Sequence, residues 1–203
     1  MTFERIAETL RKNRFDVRCF STAVEAAAYL DSVIDGKSVA IGGSHTVQEM
    51  GLYPLLEKHN LVYFNAARRR SPRESAALWR ASMDTEVYIT GVNAVAEDIG
   101  ALVNIDGRGN RIASTFYGHE KVYFLVGRNK LAPDLEGAIW RARNIAAPKN
   151  CRALGKKTPC AEKADRCYDC SSPDRGCNGL AVLWKRLRDC AMEVILIDED
   201  LGF

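Results

Sequence analysis

Residues 38–52 read SVAIGGSHTVQEMGL, and this stretch decides the fold. Ser38 to Ile41 is a short apolar run suited to a buried strand. Gly42 and Gly43 end it, and glycine accepts positive φ and a close-approaching neighbour at little steric cost. Val47, Met50, Leu52 and Leu55 then recur at helical spacing. Strand, glycine turn and helix in that order make one βα unit. A plain tight turn is the simplest reading of the two glycines. Free N–H groups at the start of the helix would also suit an anion.

Similar units lie on both sides. Upstream, Phe3 to Lys12 is an amphipathic helix with Ile6 and Leu10 inward, and Asp16 to Phe20 is extended. Thr22 and Glu25 form a capping box for a helix that stops at Gly36. Downstream, Leu61 to Phe64 is a strand, and Ser71-Pro72-Arg73-Glu74 opens a helix with Pro at its first position. Val87 to Thr90 and Lys121 to Val126 are further strands. Asp106-Gly107-Arg108-Gly109-Asn110 reads as a hairpin turn between strands 102–105 and 111–114. Pro133 to Ala147 is a helix ended by Pro148. Leu180 to Trp184 and Met192 to Ile197 are strands that return to the sheet. Alternating strands and helices predict an α/β/α layered, mostly parallel sheet, with ligands at the carboxyl ends of its strands.

Composition agrees with one folded unit. The 203 residues are 47% hydrophobic and 27% charged, near the globular average, so residues 1–203 are expected to form a single domain. No apolar run reaches the length of a membrane span, and residues 1–15 lack the apolar run of a signal peptide, so a cytoplasmic protein is expected. A net charge of +3 and scattered basic residues without stacking aromatics argue against nucleic acid. Arg68-Arg69-Arg70 reads as a solvated basic face. Neither a P-loop nor a dinucleotide fingerprint is present.

Residues 151–190 differ from the rest. They hold six of the seven cysteines and carry nine Lys and Arg against five Asp and Glu. Cys160, Cys167, Cys170 and Cys177 are spaced C-x6-C-x2-C-x6-C in a Pro- and Gly-containing insert of about 151–179. Four thiols in a reducing compartment point to metal before disulfides. A [4Fe–4S] cluster is expected, with zinc as the alternative. Lys156, Lys157, Lys163, Arg166 and Arg175 would offset the cluster's charge. Cys151 reads as a spare thiol, and Cys19 and Cys190 as ordinary ones. His45, His59 and His119 read as lone, exposed histidines.

Three groups are candidates for ligand binding: Gly42, Gly43, Ser44, Thr46 and Glu49; then Asn93, Glu97 and Asp98; then Asn104, Asp106, Asn110 and Arg111. Lys130 and Arg111 could supply positive charge. The alternatives are a plain turn, a solvated acidic turn and a hairpin.

These motifs resemble those of the lactate-utilisation (LUD-domain) family, in its stand-alone cysteine-bearing form. Gly42-Gly43-Ser-His-Thr46-x-x-Glu49-x-Gly51-Leu52 is similar to its GGSxTxxExGL signature. Asn93-Ala-x-x-Glu97-Asp98 through Asn110-Arg111 is similar to its longest motif, with Ala96 in place of a frequent Thr and Ile99 as an extra residue. Gly127-x-Asn129-Lys130, Ala146-Ala147-Pro148-x-Asn150 and Thr158-Pro159-Cys160 through Cys177-Asn178 also fit. The resemblance implies a fold like that of the sugar-isomerase and CoA-transferase group. It also implies an iron–sulfur-linked part in oxidising L-lactate to pyruvate, alongside other lactate-oxidation subunits. In the related CoA transferases a Glu near a glycine-containing turn attacks the acyl group. Glu97 occupies a comparable turn and is the candidate catalytic residue by fold-level analogy.

Three functions stay open on these grounds. One is a redox component holding a small carboxylate or phosphorylated ligand. Another is an acyl- or sugar-phosphate-type enzyme with a structural metal. The last is a non-catalytic redox or metabolite sensor. A homodimer is compatible with each.

Overall fold

The computed structural model describes residues 3–64 and 71–203; Arg68-Arg69-Arg70 lies outside them. Its spine is a six-stranded sheet, entirely parallel, in the order β1 (Asp16–Phe20), β10 (Ala191–Ile197), β7 (Lys121–Gly127), β4 (Val87–Gly91), β2 (Ser38–Ile41), β3 (Leu61–Phe64). The interior strands β7 and β10 read KVYFLVG and AMEVILI, the near-continuous apolar pattern of strands covered on both faces. Alternation along each strand divides the core. Val39, Ile41, Ile89, Leu125 and Ile195 meet α2 (Ala23–Val33), α3 (His45–Glu49) and α4 (Leu52–Leu56). Ala40, Tyr88, Val122, Phe124 and Val194 face the other way, onto α1 (Glu4–Lys12).

A second sheet shares that other face. It has the order β8 (Leu131–Ala132), β5 (Ala94–Ala96), β6 (Ala101–Asp106), β9 (Gly179–Leu183). Val95, Leu102 and Leu183 reach the large sheet's core. Ala94, Ala96 and Val103 pack instead on α7 (Leu135–Arg141) and the helical turns after it. Both predicted capping boxes form, at Thr22 with Glu25 and at Ser71 with Glu74, the latter opening α5 (Pro72–Ser82). The strand at 192–197 returns to the main sheet between β1 and β7, whereas the one at 180–184 joins the small sheet.

Three local readings are corrected. Gly51, at φ +62, splits the helix after the glycine turn into α3 and α4. Residues 106–114 are not a hairpin, because Arg111 to Ser114 lie in α6 (Asn110–Phe116). Asp106 causes this: its Oδ2 accepts from the N–H of Arg111 at 2.9 Å and of Ile112 at 3.1 Å, satisfying N–H groups a helix start leaves open. Pro148 does not end the helix that begins at Leu135. The chain passes through a π-turn at Ala142–Ala146 and continues as α8 (Ala147–Ala153), with Pro148 in its first turn. A first turn tolerates proline's missing N–H. No helix among the described residues is long and apolar enough to cross a membrane.

Candidate functional site

The carboxyl ends of β2, β4 and β7 open onto a cleft of about 730 Å³. Gly42 starts one wall. A methyl group at Gly42 would stand 2.5 Å from the Tyr88 hydroxyl and 2.9 Å from Thr90 Oγ1, so the first glycine is required by packing. Gly43 meets nothing within 4 Å. Ser44 caps α3 by accepting from the Val47 N–H at 3.5 Å. Being five residues long, α3 offers little dipole, and the positive charge in the cleft comes from side chains.

Gly42, Gly43, Ser44, Thr46, Asn93, Asp106, Asn110, Arg111 and Lys130 all line the cleft. Asn104 stands behind it, its Oδ1 accepting from the Asn93 N–H at 3.1 Å and from Arg111 Nη1 at 3.0 Å. Arg111 acts mainly as a clamp. Its guanidinium also donates to the carbonyls of Gly91 and Ile105 and to Asn93 Oδ1. Burial raises the cost of ionising Asp106, yet the N–H groups of Arg108 and Ile112 and the charge of Arg111 hold its carboxyl below the usual range. Glu97 and Asp98 are not among the lining residues. They turn the β5–β6 hairpin, where their N–H groups donate to Ala132 and Pro133.

Lys130 is the least ordinary group here. It ends a single 3₁₀ turn after β7 and is only 2% exposed. Among the described residues its Nζ has one hydrogen-bond acceptor, the main-chain oxygen of Phe203. Burial, then repulsion from Arg141, lowers its pKa to about 7, with Glu49 opposing. Arg141, on α7, was not foreseen. It is 8% exposed, and its Nη1 donates to the same Phe203 oxygen at 3.2 Å and to Asn93 O at 2.5 Å. Its position beside the inward Ala138 and Ala142 was the available signal.

Leu201 to Phe203 run along this wall. Thr46 Oγ1 donates to Leu201 O at 3.3 Å, and the Gly202 N–H donates to Glu49 Oε2 at 2.6 Å. The Leu201 N–H donates to Asn129 Oδ1 at 3.2 Å, and the Phe203 ring lies 4.1 Å from that of His45. Glu49, expected to hold a ligand, thus holds Gly202. His45 is half-buried, and His119 is not exposed but buried and stacked on Tyr88. His59 lies between Asp31 and Asp35.

The cysteine-rich loop forms the opposite wall, where Pro173, Asp174, Arg175, Gly176 and Asn178 line the cleft. Gly107 packs on Gly176 so closely that a methyl there would meet its backbone at 3.1 Å. Cys167 Sγ receives the Asp169 N–H at 3.3 Å and lies 3.9 Å from Arg143 Nη2. Arg175 donates to the carbonyls of Cys170 at 2.6 Å and Cys177 at 3.3 Å. Lys163 and Arg166 lie over the Tyr168 ring, and Lys156 pairs with Asp174. Cys151 is no isolated thiol. It packs with Cys160 and Ala161 on α9 (Pro159–Lys163). Burial and the neighbouring Cys160 push its pKa up to about 11. All seven cysteines are free. In donor type the four predicted thiols fit a cluster. In position they do not close on one: among the described residues, no three His, Cys, Asp or Glu side chains are grouped to hold a metal ion.

A family model described as the LUD domain matches residues 3–197. A solved structure described as a DUF162 family protein from Deinococcus radiodurans is similar in fold, with a TM-score of 0.53 at 10% identity. The match covers 96% of this chain and 95% of that one. No curated protein matches.

Proposed function

The chain belongs to the LUD-domain family, and from that premise we propose that it binds a small 2-hydroxy or 2-oxo carboxylate as a component of L-lactate oxidation to pyruvate. Family membership supports a role related to lactate utilisation. The observation that carries the finer reading is the meeting of two buried cationic side chains on the main-chain oxygen of Phe203: Lys130, which lines the cleft, and Arg141, which stands behind it. Burying such groups is costly unless they are paired. A carboxylate with an oxygen on the adjacent carbon offers each of them an acceptor. The carboxylate would take the place of the Phe203 oxygen, between Lys130 and Arg141. Asn93, Thr46 and Asn110 supply neutral polar groups along the same cleft.

The second part of the proposal is that Cys160, Cys167, Cys170 and Cys177 hold an iron–sulfur cluster once the loop closes around it. Support comes from the spacing of the four thiols and from the cationic Arg143 and Arg175 near them. When bound, a cluster there would supply one-electron transfer. The loop's position as a wall of the cleft favours this redox reading over a remote structural metal.

Calorimetric titration with L-lactate, pyruvate and inorganic phosphate tests the ligand. Saturable binding of either carboxylate, weakened in Arg141→Gln, is expected. Binding of phosphate alone would overturn the carboxylate reading. Anaerobic purification with iron, sulfide and zinc analysis tests the cluster. Iron and sulfide lost in Cys167→Ser are expected, and zinc without iron would refute it.

A further inference from the structure

The cleft is far larger than a three-carbon acid needs. Its volume of about 730 Å³ falls in the range of roughly 300–1,000 Å³ for pockets that enclose drug-sized ligands and cofactors. Lys130 follows β7, whereas Tyr63, another lining residue, belongs to β3. The sheet order β7-β4-β2-β3 puts three strand spacings between them, about 14 Å. At the β3 side, Leu78, Trp79 and Met83, on and just after α5, join Tyr63 in lining the cleft. That part is apolar and aromatic. Arg108, also a lining residue, lies over the Trp79 ring, its guanidinium carbon 4.3 Å from the ring centroid. Among the described residues its guanidinium has no acceptor and no ion-pair partner. Arg111, three residues on, is by contrast held by four acceptors. An exposed cation held by a ring face alone is weakly held, so Arg108 can exchange the indole for an anion.

The geometry points to this part of the cleft as a binding site for flavin mononucleotide: the flavin ring lies on Trp79 among Tyr63, Leu78 and Met83, and Arg108 leaves the indole for the phosphate. Trp79 and Arg108 carry the place; the choice of a flavin rests on the lactate-oxidation reading. Oxidising L-lactate to pyruvate removes a hydride from C2 and a proton from the hydroxyl, two electrons in all. An iron–sulfur cluster carries electrons singly. A flavin takes up the hydride and the proton together and also does one-electron chemistry. L-lactate and oxidised flavin thus become pyruvate and reduced flavin with no other reactant. A single phosphate met by an arginine side chain needs neither of the glycine-rich motifs that the chain lacks.

The test is to titrate the whole protein, purified free of flavin, with flavin mononucleotide, riboflavin and adenosine diphosphate, by flavin fluorescence and calorimetry. Expected is saturable binding of flavin mononucleotide. Riboflavin, which lacks the phosphate, should bind about tenfold more weakly. Flavin mononucleotide should weaken by a similar factor in Arg108→Ala, since each change loses one charge-assisted contact. Arg108 is exposed, so this variant keeps the fold, as circular dichroism checks. Trp79→Leu should weaken both flavins alike. Flavin binding unchanged in both variants would overturn the site, and binding of adenosine diphosphate in place of either flavin would overturn the flavin. If flavin mononucleotide does not bind while L-lactate or pyruvate does, the flavin site falls and the carboxylate reading survives. If it binds while neither carboxylate does, the flavin site stands and the carboxylate reading falls.

Discussion

Replacing Lys130 with methionine should stabilise the protein while weakening its carboxylate binding. Methionine keeps a flexible, apolar stem of similar length and has no charge to desolvate. The lysine's pKa falls from 10.5 to about 7, a drop of roughly 3.5 pH units, and at about 1.36 kcal/mol per unit the buried ammonium costs the fold at most about 5 kcal/mol. Losing the hydrogen bond to Phe203 and strict packing returns about 2 kcal/mol of that. A net gain of about 2–3 kcal/mol is expected below pH 7, or roughly 5–10 °C in Tm for a chain of this size. Because the folded-state value lies below the unfolded one, the penalty is fully present below about pH 7 and fades as pH rises toward 10.5. Wild type should therefore gain on the variant between pH 7 and pH 10. Urea denaturation of both proteins at pH 6, 8 and 10 measures this. A variant less stable than wild type at every pH, or a gap that ignores pH, would show that the amine is a well-paired cation. The reasoning would then be wrong.

Arg111→Ala should destabilise by about 3 kcal/mol, since it strips donors from Asn93, Asn104 and two carbonyls at once; chemical denaturation checks it. Gly42→Ala should cost about 1–3 kcal/mol because its methyl overlaps the Tyr88 hydroxyl, and Gly43→Ala should cost far less, since that position is open. Cys151, buried and with its thiol pushed up to about 11, should alkylate with iodoacetamide more slowly at neutral pH than the half-buried Cys170 in metal-free protein. Phe203→Ala removes the ring from His45 and should speed pyruvate binding in stopped-flow fluorescence.

What could be read from the sequence followed the strength of local signals. The βα unit at 38–52 was legible because an apolar strand, two glycines and a helical repeat agree with one another. Asp106 misled because Asp, Gly and Asn serve hairpin turns and helix starts alike; only the tertiary position of Arg111 and Ile112 decides between them. Pro148 misled because a π-turn before it lets the helix absorb a proline. Lys130 was visible as a charge, but its burial was not, since burial is set by α7 and by residues 201–203, far away in sequence. Arg141 was missed, and Cys151 was read as a spare thiol, for the same reason. Each becomes notable only through a partner distant in the chain or through the surroundings the fold builds.

A crystal structure grown with pyruvate tests the central claim most directly. The account predicts density in the cleft, with the carboxylate between Lys130 and Arg141 and the Phe203 main-chain oxygen moved off both. Pyruvate bound elsewhere, with Phe203 still held by Lys130 and Arg141, would contradict it.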